Sequence, residues 1–223
     1  MKKQDPFALE LSADLIVRAY KAGIFPMAES ETDPEIFWVC PEERGIIVLD
    51  EFKISKSLRK ILKRQDYTIK IDHDFAAVID GCAHAGGERE ETWINPTIKR
   101  LYGELFEQKI CHTVEVWQDD KLIGGLYGLA IGAAFFGESM FSRRSNASKI
   151  ALAHLVRRLD AGGYSLLDTQ FISDHLRTLG AREIPRQAYE LLLNDALGRK
   201  GDFYRSDGGL MSEVCLHETS HKS

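Results

Sequence analysis

Residues 112–142 constrain the fold most. The run H-T-V-E-V-W, then K-L-I-G-G-L-Y-G-L-A-I-G, then A-A-F-F-G-E-S-M-F-S reads as consecutive strands. Strands following one another this closely form a meander of neighbouring antiparallel strands. A long helix follows, capped around Ser145 or Asn146, with Leu152, Leu155, Val156 and Leu159 on its inner face and Gly162-Gly163 at its end. Tyr164–Phe171 is a further strand, and D-H-L-R-T-L-G and P-R-Q-A-Y-E-L-L-L-N-D-A-L are helices. This order predicts an α/β (α+β) chain with a mixed sheet flanked by helices, in the manner of the GNAT-like acyltransferase core. That likeness alone says nothing about chemistry.

The upstream half supplies the rest of the frame. Residues 9–22 have helical spacing with Ser12 as N-cap and Gly23 as stop, and strand-like Gly45–Leu49 follows. Residues 1–52 are expected to form a small N-terminal α+β domain. Residues 53–223 are expected to form the GNAT-like domain, ending in a disordered tail. The segment I-S-K-S-L-R-K-I-L-K-R (54–64) is a helix with Lys56, Lys60, Lys63 and Arg64 on one face and Ile54, Leu58, Ile61 and Leu62 opposite. No acidic residue lies within this cluster. Either it is a solvated surface or it meets a phosphate backbone. The net charge of −5 excludes nucleic-acid binding by bulk charge and leaves only such a local patch. Tyr67–Ile71 is a strand, Asp74–Cys82 a short helix and G-G-E-R-E-E a loop. Thr92–Pro96 opens another helix.

One carboxylate is out of place. Glu138 lies between Phe135-Phe136 and Met140-Phe141, where an unpaired charge costs several kcal/mol. It needs a partner inside the protein, for which Arg143 is a candidate, or one that arrives with a substrate. In the strand Y-S-L-L-D-T-Q-F, Asp168 and Gln170 are two apart and so share a sheet face. There an amide can orient a nucleophile that the carboxylate polarises or holds. No G-x-S-x-G or P-loop is present, so covalent catalysis has little support. The turn Ser142–Ser148 lacks the glycines with which coenzyme A sites approach pyrophosphate, although Arg143 or Arg144 could still meet a phosphate.

Cofactors and compartment follow from what is missing. The four cysteines are scattered, as expected of free thiols in a reducing compartment. No apolar run reaches the length of a membrane span and no signal peptide is visible, which makes the cytoplasm the expected location. His217-Glu218-Thr219-Ser220-His221 matches H-E-x-x-H but lies in the final residues, where a packed zinc helix is not expected. Neither a metal nor any other cofactor is expected.

Several stretches together resemble the leucyl/phenylalanyl-tRNA–protein transferase family. They are Y-K-A-G-I-F-P-M (20–27), W-V-C-P-E-E-R-G (38–45), T-W-I (92–94), H-T-V-E-V-W (112–117), G-G-L-Y-G (124–128), G-E-S-M-F-S-R (137–143) and L-D-T-Q-F with H-L and L-G-A-R-E-I-P-R (167–186). The resemblance implies transfer of Leu or Phe, less readily Met, from aminoacyl-tRNA to proteins beginning with Arg or Lys, marking them for N-degron proteolysis. It implies Asp168 and Gln170 as the catalytic pair. It implies a donor pocket including Trp93, Leu126, Phe135, Leu152, Leu155, Leu159 and Leu167. It makes Lys56, Lys60, Lys63 and Arg64 tRNA contacts, and it casts Glu138 as a contact for a cationic substrate group. The chain departs from the family pattern at Met27, at Val39-Cys40, and at Phe106 and Lys109. A coenzyme A-dependent N-acyltransferase and a non-enzymatic RNA-binding module are the rival readings. The first predicts acetyl-coenzyme A binding, and the second predicts tRNA binding indifferent to aminoacylation.

Overall fold

The structure, a computed structural model, describes residues 11–64, 66–84 and 92–205. In chain order its elements are α1 (Ala13–Lys21), β1 (Phe25–Met27), β2 (Phe37–Val39), β3 (Glu43–Ile47), α2 (Lys56–Arg64), β4 (Thr68–Ile71) and α3 (Phe75–Ala83). There follow α4 (Pro96–Glu107), β5 (Cys111–Gln118), β6 (Lys121–Ile131), β7 (Ala134–Ser142) and α5 (Ala147–Ala161). The remainder is β8 (Leu166–Gln170), α6 (Asp174–Thr178), β9 (Arg182–Pro185) and α7 (Arg186–Leu197). The α/β class expected from the order of elements is the one observed.

Short side chains start the helices. Ser12 Oγ accepts from Leu15 N–H at 3.3 Å, Asp74 from Ala77 N–H at 3.0 Å, and Asn95 from Ile98 N–H at 2.8 Å, with Pro96 at the first helical position. Each cap is worth about 1 kcal/mol. α5 differs from the expectation. Asn146 precedes it in the left-handed conformation (φ 67°) and makes no side-chain cap, and Ser142 Oγ takes the Ser148 N–H at 2.9 Å instead.

The sheet has seven strands in the order β4-β5-β6-β7-β8-β3-β9, and β1 and β2 form a separate pair. The meander β4–β7 is antiparallel, β7 and β8 run parallel, and β3 lies between β8 and β9. A strand from the first fifty-two residues is therefore an internal strand of the large sheet. Strand alternation divides the core. Tyr127, Phe136 and Leu166 pack toward α1, α3, α4 and α7, while Leu126, Phe135 and Leu167 pack toward α2 and α5. With both faces covered, β6 is buried along nearly its whole length. Each large side chain so buried contributes roughly 1.5–3 kcal/mol.

Two irregularities make room for a site. The β6–β7 register steps from Gly128↔Gly137 to Tyr127↔Ser139, so Glu138 is the extra residue of a bulge. On β8 the pairing steps from Asp168↔Ile46 to Gln170↔Gly45, so Thr169 is extra. The parallel β7–β8 ladder covers only Ala134–Phe136 against Leu166–Asp168. Beyond it the strands separate, at the level of the two bulges. Gly45 lets β3 pack closely against the bulged end of β8, since a Cβ would meet Thr169 Oγ1 at 2.8 Å and the Phe171 carbonyl carbon at 3.0 Å.

Candidate active site

Where β7 and β8 part, a cleft of about 680 Å³ opens, with Phe25, Met27, Trp93, Glu138, Gln170 and Phe171 among its walls. A second cavity of about 90 Å³ lies beside it, walled by Leu126, Met140, Leu152, Leu155, Leu167 and Leu176. Glu138 and Thr169 border both. Of the seven apolar residues expected to form a donor pocket, Leu126, Leu152, Leu155 and Leu167 line the small cavity and Trp93 lines the large one. Phe135 and Leu159 are fully buried and line neither, and Phe135 stacks on Phe203 with ring centroids 5.6 Å apart.

Asp168 is wholly buried on β8 and is saturated with donors. Arg44 Nε lies 2.9 and 3.1 Å from its two oxygens and Arg44 Nη2 lies 2.7 Å from Oδ2. Tyr189 O–H donates to Oδ2 at 2.6 Å, and Gln170 N–H donates to Oδ1 at 2.8 Å. Four donor groups occupy a carboxylate that offers about four lone-pair positions. Arg44 is itself held by the Gly23 carbonyl at 3.0 Å and sandwiched between the rings of Phe25 and Tyr189, each centroid 4.6 Å away. Burial opposes its charge, but the Asp168 carboxylate outweighs burial and raises its pKa. A bidentate, desolvated pair of this kind is rigid. What it fixes is Gln170, which sits in the left-handed region (φ 54°) with its backbone N–H on Asp168. The two residues thus stay together through this hydrogen bond rather than through regular alternation.

Glu138 has partners, and none of them is Arg143. Tyr102 O–H donates to Oε2 at 2.9 Å, and Gln170 Nε2 lies 3.4 Å from Oε1. Tyr102 is in turn 2.6 Å from the Tyr20 hydroxyl. Arg143 instead donates to the Leu122 carbonyl and lies over the Phe141 ring. Burial pushes the Glu138 carboxyl up to about 8. The Tyr20 and Tyr102 hydroxyls pull the other way, Asp168 adds to the rise, and Arg44 lessens it. A neutral hydroxyl cage stabilises a carboxylate less than a cation would.

The basic face lies elsewhere. Lys56, Lys60, Lys63 and Arg64 are exposed on α2 while Leu58 and Leu62 anchor it in the core. Asp66, just past the helix, pairs with Arg64 across 3.4 Å in the open, where such a pair is worth little. The amides opening α5 are engaged internally, Ala147 N–H by the Arg144 carbonyl at 3.1 Å and Ser148 N–H by Ser142 Oγ. This leaves the turn poorly disposed to cradle a pyrophosphate. Among the described residues no group of three His, Cys, Asp or Glu side chains could hold a metal, and no helix is long and apolar enough to cross a membrane. The H-E-x-x-H stretch and Cys215 lie outside the described residues.

Sequence reasoning did not single out Arg44, Tyr102, Tyr20 or Tyr189. The one available signal was indirect, since an acid in the apolar strand L-L-D-T-Q-F requires a buried cation. Arg44 of P-E-E-R-G is that cation.

Comparison with known proteins bears on this site. Residues 46–194 match the family model described as leucyl/phenylalanyl-tRNA protein transferase, and residues 10–42 match the model for that family's N-terminal domain. A relative from Ruegeria sp. (strain TM1040), named leucyl/phenylalanyl-tRNA–protein transferase, is 59% identical over 87% of this chain and 91% of its own length. Relatives with the same name from Paramagnetospirillum magneticum and Rhodopseudomonas palustris (strain BisB18) are 55% and 51% identical. They cover 88% and 92% of this chain, and 94% and 89% of their own lengths.

Proposed function

The chain belongs to the leucyl/phenylalanyl-tRNA–protein transferase family, a family of aminoacyltransferases, and from that premise we propose its reaction. It moves Leu or Phe, and less readily Met, from aminoacyl-tRNA to the α-amine of proteins beginning with Arg or Lys, which marks them for N-degron degradation. The reaction places it in the cytoplasm, where aminoacyl-tRNA is made. The observation that carries this reading is the meeting of Glu138 and Gln170 between an apolar cavity and an open cleft.

An aminoacyl ester is already activated, so positioning and proton removal suffice. The donor side chain enters the small cavity between Leu126, Leu152, Leu155 and Leu167. Such a pocket rejects polar side chains and distinguishes poorly between single methylenes. Gln170 offers its amide to the attacking amine. Asp168 holds Gln170 in its left-handed conformation and does not itself take the proton, because its lone pairs are occupied. The acceptor's cationic groups enter beside Glu138. Trp93, Met27 and Phe171 wall the cleft that admits the tRNA 3′ end and the acceptor. The family models meet between residues 42 and 46, which supports a seam between the N-terminal unit and the transferase unit at the start of β3.

Two variants test the assignments. Gln170→Ala is expected to lower the single-turnover rate about 100-fold while Tm changes little, and an unchanged rate would remove Gln170 from the chemistry. Replacing Lys56, Lys60 and Lys63 with alanine is expected to weaken binding of aminoacyl-tRNA and to reduce the slope of log affinity against log salt by roughly 2–3. An unaltered slope would show that α2 does not meet the backbone. Label transfer from Leu-tRNA to an Arg-initiated peptide tests the proposal as a whole.

A further inference from the structure

The transfer reading leaves one step without an agent. An α-amine enters mostly as an ammonium at neutral pH and must lose a proton before it can attack. Asp168 cannot receive it, because Arg44, Tyr189 and the Gln170 N–H fill its lone pairs. Gln170 cannot receive it either, since a carboxamide is far too weak a base near neutrality. Among the described residues, two titratable side chains face the cleft, Glu138 and His175. Burial and then the Lys149 charge hold His175 below its usual pKa. Glu138 alone of the two contacts Gln170.

On the transferase reading, we propose that Glu138 is the base that takes the proton from the acceptor's α-ammonium. The bulge at Glu138 turns the carboxyl to the point where β7 and β8 separate, so that it borders both cavities. The N–H bond of the ammonium breaks as the Glu138 O–H forms. The freed lone pair attacks the ester carbonyl carbon, and the bond from that carbon to the 3′-oxygen breaks. The nitrogen's second proton goes to the departing 3′-oxygen, leaving an amide and a tRNA 3′-hydroxyl. Glu138 then returns its proton to water.

The surroundings single out this group. Tyr102 from α4, Tyr20 from α1 and Tyr127 from β6 face it, and all three are pushed up by burial and then by Glu138 itself. Burial also pushes up Cys111 on β5, and Cys82 on α3 to about 12. Asp168 on β8 and Arg44 on β3 are locked to one another. Glu138, pushed up to about 8, is thus matched to an α-amine of about 7.7–8.0, and proton transfer between matched groups has little uphill component.

The productive pair of acceptor amine and Glu138 carries one proton fewer than the fully protonated pair. Its single-turnover rate should therefore trace a bell centred near pH 8. The experiment measures transfer from Leu-tRNA to an Arg-initiated peptide across the bell, with spontaneous ester hydrolysis subtracted. Wild type should show both limbs. Glu138→Gln should be slower by about tenfold or more at neutral pH and should lose the alkaline limb, because it needs only a neutral amine. An alkaline limb retained by Glu138→Gln, or absent from wild type, overturns the proposal. A peptide whose terminal amine is replaced by an aminooxy group, which is unprotonated at neutral pH, forms the second arm. The deficit of Glu138→Gln should shrink severalfold with it, and an equal deficit would mean that Glu138 acts by binding alone. No transfer by wild type at any pH would instead be a failure of the transferase reading, and is distinguishable from both.

Discussion

Arg44→Met lowers the stability of the protein by about 3–5 kcal/mol, because it leaves the Asp168 carboxylate buried without a cation. For a chain of this size that corresponds to a fall in Tm of roughly 10 °C. The guanidinium also supports the Gly23 carbonyl and packs between Phe25 and Tyr189, so the loss reaches α1 and α7 as well. Transfer activity falls further than stability, since Gln170 loses the partner that holds its backbone. Pairing the change with Asp168→Leu separates the two effects. Removing both charges restores much of the stability, as replacement of buried ion pairs by apolar groups often does, whereas activity stays low. A double variant as unstable as Arg44→Met would show that the cost lies in packing rather than in the orphaned charge.

Glu138→Gln makes the protein more stable above neutral pH. The folded carboxyl has its pKa raised from 4.5 to about 8. A carboxyl whose folded pKa exceeds its unfolded value contributes most below the unfolded pKa, and that contribution is lost as pH rises through the folded one. This one group should therefore cost the wild type a few kcal/mol of stability between about pH 5 and pH 9, with a corresponding fall in Tm. The glutamine variant, with no proton to lose at this position, should escape that decline, and its Tm advantage should grow with pH. Parallel Tm curves for the two proteins would show that Glu138 is not held in the protonated form. A more stable yet slower variant is what a buried base retained for chemistry should yield.

These two experiments concern residues that the sequence revealed to different degrees. The meander at residues 112–142, the long helix after it and the strand carrying Asp168 were legible, because two-residue and helical periodicities are local properties. The basic face of α2 was legible for the same reason. The short strand β9 was not, since Arg182-Glu183 carries charge and it forms only by pairing with β3. Nor was the place of β3 legible, for insertion between β8 and β9 is a matter of topology rather than of residue pattern. Glu138 could be seen as misplaced, but its answer came from Tyr102 on α4, thirty-six positions away. Arg44 and Asp168 lie farther apart still, 124 positions. No local periodicity reports such pairs. Of the seven residues that the resemblance assigns to a donor pocket, only geometry shows that four line the small cavity, while Phe135 and Leu159 are buried and line neither cavity.

Mass spectrometry of a single reaction reads the proposed transfer directly. The protein is mixed with Leu-tRNA and two peptides that differ only in their first residue, Arg or Ala. The expected product is the Arg-initiated peptide made heavier by one leucine residue, joined by a peptide bond at the α-amine, with the Ala-initiated peptide unchanged. An unmodified Arg-initiated peptide, or equal modification of both, would contradict it.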